Sequence, residues 1–78
     1  MNIEVKLFTI LKRYGEGKLG AGNSLQVPDN ATVGSIISQL DIPEKLGKIT
    51  LVNGKPTANG FEVKEGDEIK IFSFIGGG

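Results

Sequence analysis

A chain of 78 residues with a formal net charge of zero and no cysteine, histidine or tryptophan has room for one small domain and one core. Without cysteine there is no disulfide framework, thiol nucleophile or zinc knuckle, and without histidine the usual general base and commonest metal ligand are gone; neither a self-contained enzyme nor a resident metal or bound cofactor is expected. No basic excess marks a nucleic-acid binder, and no apolar run is long enough for a bilayer or a signal peptide, so a soluble cytoplasmic domain is expected, with no nucleic acid and no membrane among its partners.

The first segment alternates, with Ile3, Val5 and Leu7 on one parity and Glu4, Lys6 and Phe8 on the other. A two-residue period predicts a strand with one buried and one open face. Thr9 to Tyr14 allows one short helical turn, and four glycines between Gly15 and Asn23 predict a mobile loop. Alternation returns at Ser24–Val27, with Leu25 and Val27 inward, so the opening reads as a long-looped hairpin.

Thr32 has the chemistry of a helix N-cap, and Val33, Ile36, Ile37 and Leu40 then fall on one helical stripe. Gly34 weakens that helix by up to about 1 kcal/mol relative to alanine, which suggests a close helix–sheet contact. Asp41-Ile42-Pro43 ends it. Lys48–Val52 predicts a third strand with Ile49 and Leu51 inward, followed by the Asn53-Gly54 hairpin signal and a short edge strand over Lys55–Asn59. Glu68–Ile75 predicts the last strand.

Two features have a bland reading that is preferred. Gly15-Glu16-Gly17-Lys18-Leu19-Gly20, with Asp41 further on, fits a dinucleotide fingerprint. That motif needs its last glycine in the first turn of a helix, whereas here the chain runs on through Ala21-Gly22-Asn23-Ser24 into a strand. Glu62, Glu65, Asp67 and Glu68 are four acids within seven positions; they read as a solvated turn rather than a dock for a basic partner, and offer no general acid/base pair.

The chain ends in Gly76-Gly77-Gly78, and no fold requires three such residues there. A frayed end is the alternative. Fully extended, the three reach at most about 10 Å, and without Cβ atoms they can thread a channel too narrow for any other residue. They would deliver the carboxylate of Gly78 to another enzyme's site. In the last strand Lys70 points its parity to the open face, which puts Phe72 and Phe74 there with Phe8. If first and last strands are neighbours, the three aromatics form a partner-binding patch beside the tail; the alternative is that strand twist or a loop buries them.

The opening strand Ile3-Glu4-Val5-Lys6-Leu7-Phe8, the helix entry Ala31-Thr32-Val33, Leu51-Val52-Asn53-Gly54, Glu65-Gly66-Asp67-Glu68-Ile69 and the terminal Gly77-Gly78 together resemble the ubiquitin-like sulfur carriers of the MoaD/ThiS type. The resemblance covers the whole chain. It implies an α+β fold, the ubiquitin-like β-grasp, with a mixed sheet of four to five strands and one main helix on one face. The domain would span residues 1–75, and residues 76–78 would be a flexible glycine tail. It further implies that a ubiquitin-activating-type adenylating enzyme uses ATP to adenylate Gly78. A sulfur donor then makes the thiocarboxylate that a biosynthetic enzyme consumes, while Gly76 and Gly77 thread the partner's active site. The carrier itself would be a co-substrate or accessory subunit.

The opening strand and the long segment after it resemble the molybdopterin synthase small subunit, whose partner is that enzyme's large subunit. The aromatic–aliphatic pair before the glycines is closer to the thiamin sulfur carriers, which serve thiazole synthase. The molybdopterin or tungstopterin branch is placed first. A protein modifier joined through Gly78 to lysines, and a plain binding module with an inert tail, are the competing readings.

Overall fold

A computed structural model describes residues 1–46 and 48–74 of the chain. Strand β1 (Asn2–Leu7) alternates as its sequence predicts: Ile3, Val5 and Leu7 are buried, and Glu4 and Lys6 are half-exposed. It pairs antiparallel with β2 (Ser24–Gln26), Ile3 opposite Leu25, which is the expected hairpin. The connection is more ordered than its glycines suggest. A 3₁₀ helix over Thr9–Gly15 and a second 3₁₀ turn over Ala21–Asn23 occupy most of it. Leu11 is fully buried and Leu19 packs on the core. Gly15 is closely packed here: a Cβ would meet Leu19 Cδ1 at 2.9 Å and Leu7 Cδ1 at 3.1 Å, so those side chains would have to shift.

Helix α1 (Val33–Gln39) starts where Thr32 predicts. The Thr32 hydroxyl accepts from the Ser35 amide at 3.1 Å, and the Ser35 hydroxyl accepts from the Thr32 amide at 2.9 Å, closing a capping box. Val33, Ile36, Ile37 and Leu40 form the buried stripe. At the other end Asp41 turns left-handed (φ 59°); its amide donates to Ser38 and that of Ile42 to Ile37, the paired bonds of a Schellman cap. Two free first-turn amides find carbonyls in the segment before β5: Val33 N bonds Phe61 O at 3.0 Å and Gly34 N bonds Asn59 O at 2.8 Å. The close approach that Gly34 permits is therefore to this turn and not to the sheet. An added Cβ would lie 3.3 Å from both Asn59 Cβ and Asn59 O.

Strands β3 (Lys48–Val52), β4 (Lys55–Pro56) and β5 (Glu68–Ser73) complete a five-stranded sheet in the order β2-β1-β5-β3-β4. The Asn53-Gly54 turn joins β3 to β4 with both residues at positive φ (51° and 85°), as a type I′ hairpin demands. The edge strand β4 has two residues and not five; Pro56 is tolerated because its place in the ladder turns the amide position outward, and Thr57 N still donates to Thr50 O at 2.9 Å beyond it. β5 is central, parallel to β1 and antiparallel to β3. Helix α1 covers one face of this mixed sheet, and the arrangement is the expected β-grasp.

The sheet corrects one assignment. The inward residues of β3 are Thr50 and Val52, which pair with Ile71 and Ile69 of β5; Ile49 and Leu51 face the open side.

Candidate functional site

The open face is built from three rows of residues in register. Glu4 on β1 lies opposite Glu68 on β5, and Lys6 lies opposite Lys70, which in turn faces Leu51 of β3. One step further, Phe8 comes level with Phe72, which faces Ile49. Like charges therefore oppose each other across β1 and β5, and the side chains resolve this diagonally. Lys6 Nζ sits 3.1 Å from Glu68 Oε2 and 4.0 Å from Glu4 Oε2, and Lys70 Nζ sits 3.8 Å from Glu68 Oε1. The hydrogen bond and charge of Glu68, with a smaller contribution from Glu4, hold the Lys6 ammonium above its usual 10.5.

Beyond the charged rows the face becomes apolar. The Phe8 and Phe72 rings stack with centroids 4.4 Å apart and planes within 8°. Ile49 beside them is 47% exposed. Phe74, one residue past β5, is 66% exposed and makes no ring pair among the described residues. The structure thus joins two of the three expected aromatics and leaves the third free at the strand end. Ile49 and Leu51 belong to this face and were misplaced by their sequence alternation. Their signal lies in β-sheet register: a strand neighbouring β5 must present something apolar opposite Phe72.

Thr9 fixes where the patch ends. Its φ of 52° is rare for a β-branched residue, and it turns the chain off β1 directly after Phe8. Between that turn and the loop that follows lies a cleft of about 530 Å³, floored by Leu7, Gly15 and Leu19 and rimmed by Phe8 and Lys12. It extends the apolar patch sideways. The terminal Gly76, Gly77 and Gly78, expected to carry the chemistry, lie outside the described residues; Phe74 leads toward them from the end of β5.

The two features set aside on sequence grounds have structural roles. Lys18 of the glycine-rich loop donates to Asp41 at 2.6 Å, so the lysine and acid of the apparent fingerprint pair with each other, and only a three-residue 3₁₀ turn, Ala21–Asn23, follows Gly20 before β2. In the acidic turn Asp67 accepts from Lys64 N and Asn53 Nδ2, and Glu65 accepts from Asn2 N. Glu68 is held by Lys6 and Lys70. Three of the four acids are thus internal fasteners. Among the described residues no cluster of acids is placed to hold a metal ion, and no helix is long and apolar enough to cross a membrane.

Comparison with solved structures finds the same fold in proteins of low sequence identity. A small archaeal modifier protein 1 from H. volcanii superposes with a TM-score of 0.71 at 23% identity, covering 92% of this chain and 95% of its own. A putative molybdopterin converting factor, subunit 1, from Pyrococcus furiosus gives 0.72 at 18% identity over 94% and 97%. The thiamine biosynthesis protein ThiS from Geobacter metallireducens gives 0.65 at 21% identity over the whole of both chains. No curated protein sequence matches the chain. The ThiS family profile matches residues 5–78, from the middle of β1 through the aromatic end of the open face to the terminal glycines: the chain belongs to the ThiS family.

Proposed function

We propose that this protein is a sulfur carrier whose Gly78 carboxylate is the working group. The observation that carries the reading is the family match running unbroken through Gly78, with an exposed aromatic patch at the end of the strand that leads to it. The domain (residues 1–75) serves as a handle, and residues 76–78 are the segment it presents. A ubiquitin-activating-type enzyme binds the open face through Phe8, Phe72 and Phe74, while Gly76 and Gly77 thread its active site. There the Gly78 carboxylate attacks the α-phosphorus of ATP, releasing pyrophosphate and leaving an acyl-adenylate. Sulfide sulfur from a donor then attacks the acyl carbon and AMP departs, giving the thiocarboxylate. A cytoplasmic biosynthetic enzyme takes up that sulfur. The molybdopterin synthase large subunit is the first candidate, on the opening strand and long first connection, and thiazole synthase the second. The chain binds no cofactor of its own and acts as a co-substrate.

The likeness to a small archaeal modifier protein favours one second reading, conjugation of Gly78 to lysines after the same adenylation. Fragment mass spectrometry of the protein from its own cells separates the two. Replacement of one oxygen by sulfur on Gly78 supports the carrier, and heavier species linked through Gly78 support the modifier. If a cognate adenylating enzyme, ATP and sulfide leave Gly78 a plain carboxylate, and no conjugates form, both readings fall and a binding module remains.

A further inference from the structure

The chain contains two Asn-Gly dipeptides, Asn53-Gly54 and Asn59-Gly60. Both are the central pair of a turn: the first joins β3 to β4, and the second lies in a turn closed by Phe61 N donating to Ala58 O at 3.2 Å. Asn-Gly is the dipeptide most open to intramolecular attack, because glycine leaves its own nitrogen unhindered and its backbone free to rotate. Attack also needs a free carboxamide and a free nitrogen.

The two turns differ on that point. The Asn53 carboxamide is held at both ends, Nδ2 donating to Asp67 Oδ1 at 2.9 Å and Oδ1 accepting from Glu68 N at 3.0 Å. Neither the Asn59 carboxamide nor the Gly60 amide has a hydrogen bond among the described residues, and the space around Gly60 is open. We propose that Asn59 is a site of spontaneous deamidation in the folded protein, and that Asn53 is protected. The Gly60 nitrogen loses its proton and bonds to Asn59 Cγ, Nδ2 leaves as ammonia, and a succinimide closes. Water opens it to aspartate or isoaspartate, adding one negative charge in either case, and no other reactant is needed.

The site matters to the fold because the Asn59 carbonyl caps α1 through Gly34 N at 2.8 Å. In the isoaspartyl product that carbonyl becomes a free carboxylate and the main chain is rerouted through Cβ and Cγ, which displaces the helix entry. The purified full chain, kept folded in mildly alkaline buffer at physiological temperature and sampled by peptide mass spectrometry, tests this. Asn59 is expected to convert at least on the order of tenfold faster than Asn53, the protection that two ordinary hydrogen bonds give. In denaturant the two rates converge. Gly60→Ala, whose methyl enters open space, suppresses conversion at Asn59 and leaves Asn53 unchanged. Equal rates in the folded protein, or protection of Asn59 as strong as that of Asn53, overturns the proposal.

Discussion

Lys6 and Glu68 sit diagonally across the parallel β1–β5 ladder, and it is to Glu68, 3.1 Å away, that Lys6 reaches past its register partner Lys70. Glu68 serves both lysines, so Glu68→Gln, which removes both contacts, is expected to destabilise more than Lys6→Met, which leaves Lys70 beside Glu68. The folded state raises the Lys6 pKa, so the pair's contribution is fully present below 10.5 and is lost as pH rises through the folded value. Thermal unfolding of wild type and Lys6→Met across the alkaline range checks this, with the curves converging at high pH and in high salt. A gap that persists there would assign the effect to the lysine's alkyl stem.

Phe72→Ser breaks the stack with Phe8 on the open face. An aromatic pair of this kind contributes about 0.5–1.5 kcal/mol beyond its area, so the variant should unfold cooperatively at a moderately lower temperature. Its KM toward the adenylating enzyme should rise by tenfold or more, as loss of a central interface aromatic does. Loss of folding would instead make Phe72 a core residue and remove the patch.

Leu11→Ala is expected to cost about 2–5 kcal/mol in denaturant unfolding, the range for emptying a fully buried leucine site. Leu11 lies in the connection between β1 and β2 and is fully buried. A cost under about 1 kcal/mol, the level of a surface change, would mean that the 3₁₀ segment is not part of the cooperative unit.

Gly34→Ala sets two effects against each other. Alanine favours the helix by up to about 1 kcal/mol, and crowding a packed contact costs about 1–3 kcal/mol. The 3.3 Å contact includes Asn59 O, which also accepts the Gly34 amide and so cannot retreat without stretching that bond. Crowding wins, and the variant is expected to lose stability in equilibrium unfolding.

Much of this architecture is legible in the residues. β1 and β5 follow because each has one parity that is aliphatic and another that carries charge, and α1 follows from Thr32 and the stripe behind it. β3 does not, because Lys48-Ile49-Thr50-Leu51-Val52 offers an apolar choice on either parity. The true register is set by β5: Thr50 and Val52 meet Ile71 and Ile69, while Ile49 meets Phe72. That pairing is a long-range fact absent from a local pattern. In the first connection the four glycines mask the anchoring role of Leu11 and Leu19, whose partners are likewise distant in sequence. For the site, the Phe8–Phe72 neighbourhood followed from parity once the end strands were paired. Ile49 joins the site through its register with Phe72, and Thr9 through a positive φ, neither of which a local pattern carries.

The position of β5 has a consequence for how the molecule comes into being. It is last of the five strands in sequence yet lies in the middle of the sheet, between β1 and β3. Its partners β1 and β3, each paired only with its outer neighbour, keep one edge open until β5 arrives, and the β1–β5 contacts join the two ends of the chain, the kind of pairing that folds slowly. A chain cut before Glu68 lacks the central strand altogether, so its β1–β2 and β3–β4 pairs have nothing to join them into one sheet.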